Sequence, residues 1–224
     1  MSGFSGSRIV TDKLVLCLDA ANLNSYPGSG NSWTDLISKN VGTLTNGPTY
    51  NDSNGGFLSF DGIDDFVTQS FSGLSGGNNP FTLSFWAYSD AAAAANPETP
   101  FWYGNESTGQ AIRIRFNTDG TISIAHWGGI GYDWSASGFV TNTWLFITET
   151  YNGTTDIIYK NGVQLGSSNI NALSIPTSSN VILGKRPNGE IYGGRIAQVY
   201  LYDKALSAEE IMINFNATRR RFGI

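Results

Sequence analysis

The sequence predicts an all-β fold: a sandwich of two antiparallel sheets with a short C-terminal helix. Three observations predict it. Trp144–Tyr151 and Asp156–Lys160 are rich in β-branched and aromatic residues. The Asn152-Gly153 and Asn161-Gly162 pairs that follow them tolerate the positive φ of tight hairpin turns. Phe81–Tyr88 and Ile112–Phe116 alternate at the period of a strand, and only one helical pattern occurs, near the end, so no strand–helix–strand unit is built.

Taken in order, residues 1–8 read as a flexible Ser/Gly arm with one anchor, Phe4, and residues 9–224 as a single sandwich domain. Leu14–Leu18 is a continuous apolar run, as expected for a strand covered on both faces. Cys17, the one cysteine, is expected to be buried there without a disulfide partner. Asp19–Gly30 is a loop of turn formers, with Trp33 and Leu36 plugging it onto the body. Thr43–Thr45 leads into the Asn46-Gly47-Pro48 turn. Phe57–Phe60 is a strand ending in the Asp61–Asp65 loop, and Phe66-Val67 resumes an extended run. Phe71–Asn79 is a Gly/Ser/Asn loop.

In Phe81–Tyr88 the core face is Phe81, Leu83 and Phe85, and the other face is Thr82, Ser84, Trp86 and Tyr88. Aromatics on that second face mean that it is covered or used for binding. Asp90–Pro100, with the alanines Ala91–Ala95, reads as a long loop with one helical turn at most. Ile112–Phe116 sends its apolar residues inward and puts Arg113 and Arg115 together on the opposite face. After the Asn117–Gly120 turn, Thr121–Ala125 is a strand, and His126–Trp134 is aromatic and Gly-rich. Val181–Leu183 and Arg195–Tyr202 close the sandwich. Ser207 and Glu210 then form a capping box, with Leu206 and Ile211 as a hydrophobic staple. Ile211 and Phe215 supply the apolar stripe. Glu209 and Glu210 at the helix start and Arg219–Arg221 beyond its end suit the helix dipole.

Composition narrows the function. Hydrophobic residues are 40% and aromatics 13%, enough for a sizeable core, and the 27 glycines suit many turns. Charged residues are only 14%, which leaves a neutral, hydrogen-bonding surface of Ser, Thr, Asn and Gly. A net charge of −5 and a pI near 4.7 argue against nucleic acid or an anionic membrane as partner. No apolar stretch approaches the roughly 20 residues of a membrane-spanning helix. Residues 1–7 lack the basic and apolar regions of a signal peptide, so cytoplasmic synthesis without export is expected.

Three blocks resemble a known family. The first runs from Leu14–Ala20 through Tyr26–Gly30, Trp33–Leu36 and Phe60–Val67. The second joins Phe81–Tyr88 to Trp144–Gly162 and ends in the Tyr159-to-Gly162 turn. The third runs from Gly194–Ala197 through Leu201–Ile211 to Arg221-Phe222-Gly223. Together they resemble the laminin-G-like domains of the concanavalin A-like lectin/glucanase superfamily, and the first and last are similar to versions in tailed-phage structural proteins. The resemblance implies a jelly roll of two curved sheets. It also implies a non-enzymatic virion component, a capsid decoration or tail part, made in the host cytoplasm. Its expected partners are other virion proteins, further copies of itself and host glycans. The fold also hosts free lectins and glycosidases, so fold alone does not fix function.

The residues bear on each of these. Glycoside hydrolysis needs two carboxyl groups flanking the bond. The Glu-x-Asp-x-x-Glu pattern of the superfamily's glucanases is missing, and Glu98, Glu106, Glu149, Glu190, Glu209 and Glu210 are scattered. Glu149 lies in a predicted strand, where a cross-strand pairing with Arg113 or Arg115 is expected. No enzyme activity and no cofactor are expected. Calcium is the one candidate ion: Asp61, Asp64 and Asp65 cluster in one loop with Asp19 and Asn22 as neighbours, and some laminin-G-like domains hold calcium at such loops. The alternative is a turn whose aspartates bond local amides. Sugar binding needs aromatic faces and planar polar groups. Trp86, Tyr88, Arg113 and Arg115 are candidates to line one sheet, and His126, Trp127, Tyr132, Asp133 and Trp134 to form its rim. The alternative is that the tryptophans cover a sheet edge or fill a subunit interface. Phe4 and Arg219, Arg220 and Arg221 are candidate docking anchors.

Overall fold

The computed structural model of the protein describes residues 8–91 and 96–224. Phe4 and most of the alanine run, residues 92–95, lie outside the described residues. In chain order the strands are β1 (Leu14–Asp19), β2 (Ser32–Thr34), β3 (Val41–Thr45), β4 (Thr49–Asn51), β5 (Phe57–Asp61) and β6 (Phe66–Phe71). Next come β7 (Phe81–Ser89), β8 (Glu98–Gly104), β9 (Ala111–Phe116), β10 (Thr121–Ala125), β11 (Asp133–Ser137) and β12 (Leu145–Tyr151). The last are β13 (Thr155–Lys160), β14 (Val163–Asn169), β15 (Ser179–Leu183), β16 (Lys185–Arg186), β17 (Gly189–Ile191) and β18 (Gly193–Tyr202), before helix α1 (Ala208–Thr218).

Two eight-stranded antiparallel sheets result. The first runs β14-β13-β12-β7-β18-β5-β4, and β1 also pairs with β18. The second runs β11-β10-β9-β8-β15-β6-β3-β2. Strand β18 is the spine of the first sheet. One edge pairs with β7, and the other pairs first with β5 and then with β1. Its ten residues make room for two short partners in line. The β12–β13–β14 meander is the expected hairpin stretch. Asn161 and Gly162 take φ of 53° and 80°, the left-handed pair that a two-residue turn demands.

Alternation sets the main core. Phe81, Leu83 and Phe85 from the first sheet meet Phe101, Tyr103, Ile112, Ile114 and Phe116 from the second, all essentially shut off from water. Burying one such side chain stabilises by roughly 1.5–3 kcal/mol, so this layer dominates folding. A second core lies on the far side of the first sheet. There Cys17, Trp86, Phe146, Tyr200 and Tyr202 pack beneath Leu206, Ile211, Phe215 and Phe222. The helix that forms this roof starts as its sequence requires. Ser207 Oγ accepts from Glu210 N, and the Glu210 carboxylate accepts from Ser207 N at 2.9 Å. Residues Arg219–Phe222 follow as a 3-10 turn that swings Phe222 back onto Trp86.

One expectation shifts. The segment expected to be a loop up to Pro100 begins β8 already at Glu98, because Gly193 N–H and Ser89 Oγ–H both donate to the buried Glu98 carboxyl. Ile9 and Val10 pack on the second core, and Val10 N donates to Asn214 Oδ1 at 2.8 Å. No helix among the described residues is long and apolar enough to cross a membrane.

Candidate functional site

The predicted sugar-binding residues fall on opposite sides of the sandwich. Trp86 and Tyr88 lie on the outer face of the first sheet, as their alternation in β7 requires. Trp86 is fully buried there: Phe222 stacks on it at 4.1 Å between centroids, and its Nε1 donates to Thr218 Oγ1 at 2.8 Å. It therefore anchors the helix and is closed to a ligand. Tyr88 is half-buried at the margin of that roof, with the Arg195 guanidinium 4.1 Å from its ring. Covering, the first of the two uses expected for aromatics on this face, describes Trp86.

Arg113 and Arg115 occupy the outer face of the second sheet. The register places Trp102 beside Arg113, Ile182 beside Trp102, and Ser123 beside Arg115. The β16–β17 hairpin folds over this row. Its Glu190 carboxylate binds Arg113 Nη2, reaches Arg115 Nε at 3.4 Å and accepts from Thr99 Oγ1 at 2.8 Å. Glu190, rather than the expected Glu149, is thus the partner of both arginines. Glu149 fails because it points inward, with Leu145 and Ile147 on the core side of β12. Arg113 is almost fully buried and Arg115 keeps a third of its side chain exposed. Burial pulls the Arg113 guanidinium down and Glu190 pushes back against that. Glu190 itself holds a φ of 35°, rare for a residue with a side chain. It also lines a cleft of about 380 Å³ with Gly62, Asn96, Pro97 and Ile191.

At the other end of the hairpin, half-buried Trp127 stands edge-on to buried Trp102, centroids 5.9 Å apart. The Arg186 guanidinium lies 5.3 Å from the Trp127 ring, and Glu106 holds Arg186 and Asn188. Trp127 adopts a left-handed backbone, φ 65°, which turns its ring away from the strand direction of β10. Trp102, Arg186, Glu106 and Glu190 were not legible as site residues. Phe101-Trp102-Tyr103 does carry a strand's residue types, and that signal would have put Trp102 on a face with Arg113.

The remaining rim residues scatter. His126 is wholly buried between the sheets, donating from Nδ1 to Ala111 O at 2.7 Å and facing Asp156 Oδ2 from Nε2 at 2.7 Å. It continues the inward series Ile122, Ile124 of β10 and so cannot reach a surface ligand. Burial alone would lower its pKa, but the Asp156 carboxylate outweighs this and raises it to about 9. Tyr132 and Trp134 pack against the main core, and Trp134 Nε1 points at Asp156 Oδ2 at 3.4 Å. Asp133 is exposed and accepts from Gly129 N at 3.1 Å.

In the aspartate loop, Asp61 Oδ1 accepts from Ile63 N at 2.8 Å and Asp65 Oδ2 accepts from Asp61 N at 3.0 Å, as an ordinary turn would. Asp65 Oδ1 is buried without a donor. Desolvation accordingly raises the Asp65 pKa. A hard cation would satisfy that oxygen, with Asp61, Asp64 and Asp65 in mutual reach. Asp19 is instead tied to Arg221 Nη1 at 2.8 Å and to Gln198 Nε2 at 2.8 Å. Of the docking arginines, Arg219 and Arg220 are exposed, whereas Arg221 is spent on Asp19 and on the carbonyls of Asn54 and Gly56.

Two packed antiparallel sheets with polar and aromatic residues on an outer face define a lectin/glucanase-like class of fold. The chain belongs to the Concanavalin A-like lectin/glucanases superfamily, whose laminin G family model matches residues 61–212. Among solved structures it is similar to Trypanosoma rangeli sialidase, with a TM-score of 0.71 at 16% identity, over 95% of this chain and 34% of that one. It is also similar to domain 4 of AbnA, a GH43 extracellular arabinanase from Geobacillus stearothermophilus, in complex with arabinotriose. That match has a TM-score of 0.68 at 16% identity, over 89% of this chain and 97% of that one. A third is the ligand binding domain of botulinum neurotoxin serotype D in complex with N-acetylneuraminic acid, at 0.71 and 17%, over 91% and 50%. The chain spans about a third of the sialidase structure, and at these identities the likeness is one of fold. No curated protein matches it in sequence.

Proposed function

We propose that the domain is a non-enzymatic recognition module that binds a carboxylate-bearing saccharide on the outer face of its second sheet. The observation that carries this is the arginine pair held by Glu190, a residue that also lines the 380 Å³ cleft. Arg113, Arg115 and Arg186 face Glu106 and Glu190 there, and the Asp119 carboxylate also lies within the field of Arg115. An anionic sugar would take the place of Glu190 at Arg115, the looser of its two contacts. The 380 Å³ cleft falls in the size range of small-molecule sites, and half-buried Trp127, at the other end of the hairpin beside Arg186, is a further ring on the same face. The sialidase and the neurotoxin domain are fold neighbours known in complex with sialic acid and with N-acetylneuraminic acid, which supports the same ligand class here. Hydrolysis is disfavoured because Glu190 is committed to two arginines and Glu149 and Asp156 have no access to solvent. Calcium held by Asp61, Asp64 and Asp65 would brace the cleft's Gly62 wall.

The setting we propose is the surface of a phage virion, on the strength of the opening and closing segments and the weakly charged exterior. Further copies of the chain and other virion proteins would be its neighbours, with Arg219 and Arg220 free to meet them.

Binding to sialylated and neutral glycans, read by array and calorimetry, tests the site. Sialylated glycans are expected to bind, and Arg115→Ala to weaken them at least tenfold, since a charged hydrogen bond contributes about 1.5–3 kcal/mol. Binding restricted to neutral glycans removes the acidic class. No binding at all, with the chain recovered in purified particles, reassigns it as a purely structural part.

A further inference from the structure

A second group of polar side chains lies inside the sandwich, away from the outer face. His126 at the end of β10, Glu149 in β12 and Asp156 in β13 meet between the sheets, and each is fully shut off from water. Their donor atoms lie within 4.8 Å of one another. His126 Nδ1 faces the Ala111 carbonyl at 2.7 Å. A carbonyl only accepts, so Nδ1 carries the proton and the Nε2 lone pair is directed at the carboxylates. Nε2 is 2.7 Å from Asp156 Oδ2 and 3.6 Å from Glu149 Oε1. Only a proton or a cation fits between a ring lone pair and a carboxylate at the first of these distances. Both Glu149 oxygens and Asp156 Oδ1 lack any donor.

Buried carboxylates without partners are among the costliest groups a fold can hold. With imidazolium and two carboxylates the cluster carries one net negative charge in a closed interior. With neutral imidazole, two carboxylates and one divalent cation it is neutral, and both Glu149 oxygens gain a partner. The histidine is also already oriented as metal-bound histidines are, with its other ring nitrogen donating to a backbone carbonyl.

We propose that His126, Glu149 and Asp156 form a binding site for one divalent transition-metal ion, zinc or manganese, that ties the two sheets together. His126 Nε2, one Asp156 oxygen and both Glu149 oxygens supply four donors. Metal–ligand distances of about 2.0–2.2 Å place His126 Nε2 and the Asp156 oxygen about 3.3 Å apart, while the two Glu149 oxygens, fixed on one carbon, stay closer together and share one corner of the shell. His126 and Asp156 therefore move apart by a fraction of an ångström as the ion takes the proton's place. Trp134 Nε1, 3.4 Å from Asp156 Oδ2, is the outer donor to that ligand. The ion would link β10 of one sheet to β12 and β13 of the other. Because the site has no opening, the metal loads during folding and leaves on unfolding.

The full chain, free of any polyhistidine tag, is refolded with zinc, with manganese or with EDTA, and its metal content is measured by mass spectrometry. The expected result is about one ion per chain that resists EDTA in the native state and a melting temperature well above that of the chain refolded in EDTA. X-ray absorption of the loaded protein is expected to show nitrogen and oxygen ligands without sulfur. Asp156→Asn and Glu149→Gln are expected to lose the ion, whereas Asp61→Asn, in the surface loop, keeps it. Less than a tenth of an ion in the wild-type chain, with the same melting temperature in metal and in EDTA, overturns the proposal and leaves protons in the site. So does an ion retained by Glu149→Gln, or one with a sulfur ligand. If both variants fail to fold, the wild-type stoichiometry and absorption spectrum decide.

Discussion

The two outer faces of this sandwich begin alike and end differently. On both, strand alternation sends a tryptophan away from the main core: Trp86 from β7 and Trp102 from β8. Over Trp86 the chain lays a helix and a 3-10 turn whose contacts are aromatic and aliphatic. Over Trp102 it lays a two-stranded hairpin whose principal contacts are ionic: Glu190 to the arginine pair, Arg186 to Glu106. An apolar roof loses its hydration benefit if it lifts. An ionic roof can exchange a partner at little net cost only at its exposed end, here the Arg115 contact, because exposed ion pairs contribute about 0–1 kcal/mol. The first face is therefore structure, and the second is the one to which the proposed function assigns a ligand.

The strongest attempt to break this contrast is Trp86→Ala. It removes the ring under Phe215 and Phe222 together with the bond to Thr218. Truncating a buried tryptophan costs about 3–5 kcal/mol, and the helix should loosen with it. Chemical denaturation should show the midpoint fall, while protein that remains folded binds ligand normally. A selective loss of ligand affinity at unchanged stability would put the binding site on the wrong face.

Glu98 tests the joint between the sheets. Burial is the largest influence on its carboxyl and raises the pKa to about 7, against opposing hydrogen bonds from Ser89 and Gly193. The folded state thus holds this proton more tightly than the unfolded chain does. The resulting stability is fully present below the ordinary pKa of 4.5 and is lost as the pH rises through about 7. A shift of that size corresponds to about 3 kcal/mol. Glu98→Gln keeps an acceptor for Gly193 N–H and carries no charge. It should melt higher than wild type at pH 8, and the difference should vanish by pH 4. Parallel melting curves for the two proteins across that range would show that Glu98 keeps its ordinary pKa.

Much of this architecture was legible in the residues. The alternation of Ile112–Phe116 correctly puts Arg113 and Arg115 on one outward face, and the capping box and staple correctly mark the start of α1. What alternation does not reveal is which outward face acquires a roof. That depends on Phe215 and Phe222, more than a hundred residues after Trp86, and on where β18 delivers the chain. His126 was misplaced for a different reason. The glycines after it suggested a surface rim, yet the inward series Ile122, Ile124 runs one step further and buries it. The same period applied to β12 would have turned Glu149 inward beside Leu145 and Ile147. Glu190 gave no signal at all: its role rests on a positive φ and a hairpin of two-residue and three-residue strands.

The smallest expected effect on stability is the most discriminating. Trp127 is half-buried, and its packing on Trp102 is one edge-to-face contact, worth about 0.5–1.5 kcal/mol beyond the area it covers. Trp127→Ala should therefore cost about 1 kcal/mol, and its loop should relax because alanine has less reason to hold a φ of 65°. Should the ring stack on a sugar, affinity falls at least tenfold while the midpoint of denaturation hardly moves, the reverse of Trp86→Ala. Two tryptophans on two outward faces would then separate cleanly, one read by denaturant and the other by calorimetry. If instead Trp127→Ala destabilises as much as Trp86→Ala does, the hairpin roof is as structural as the helix, and the second face is closed as well.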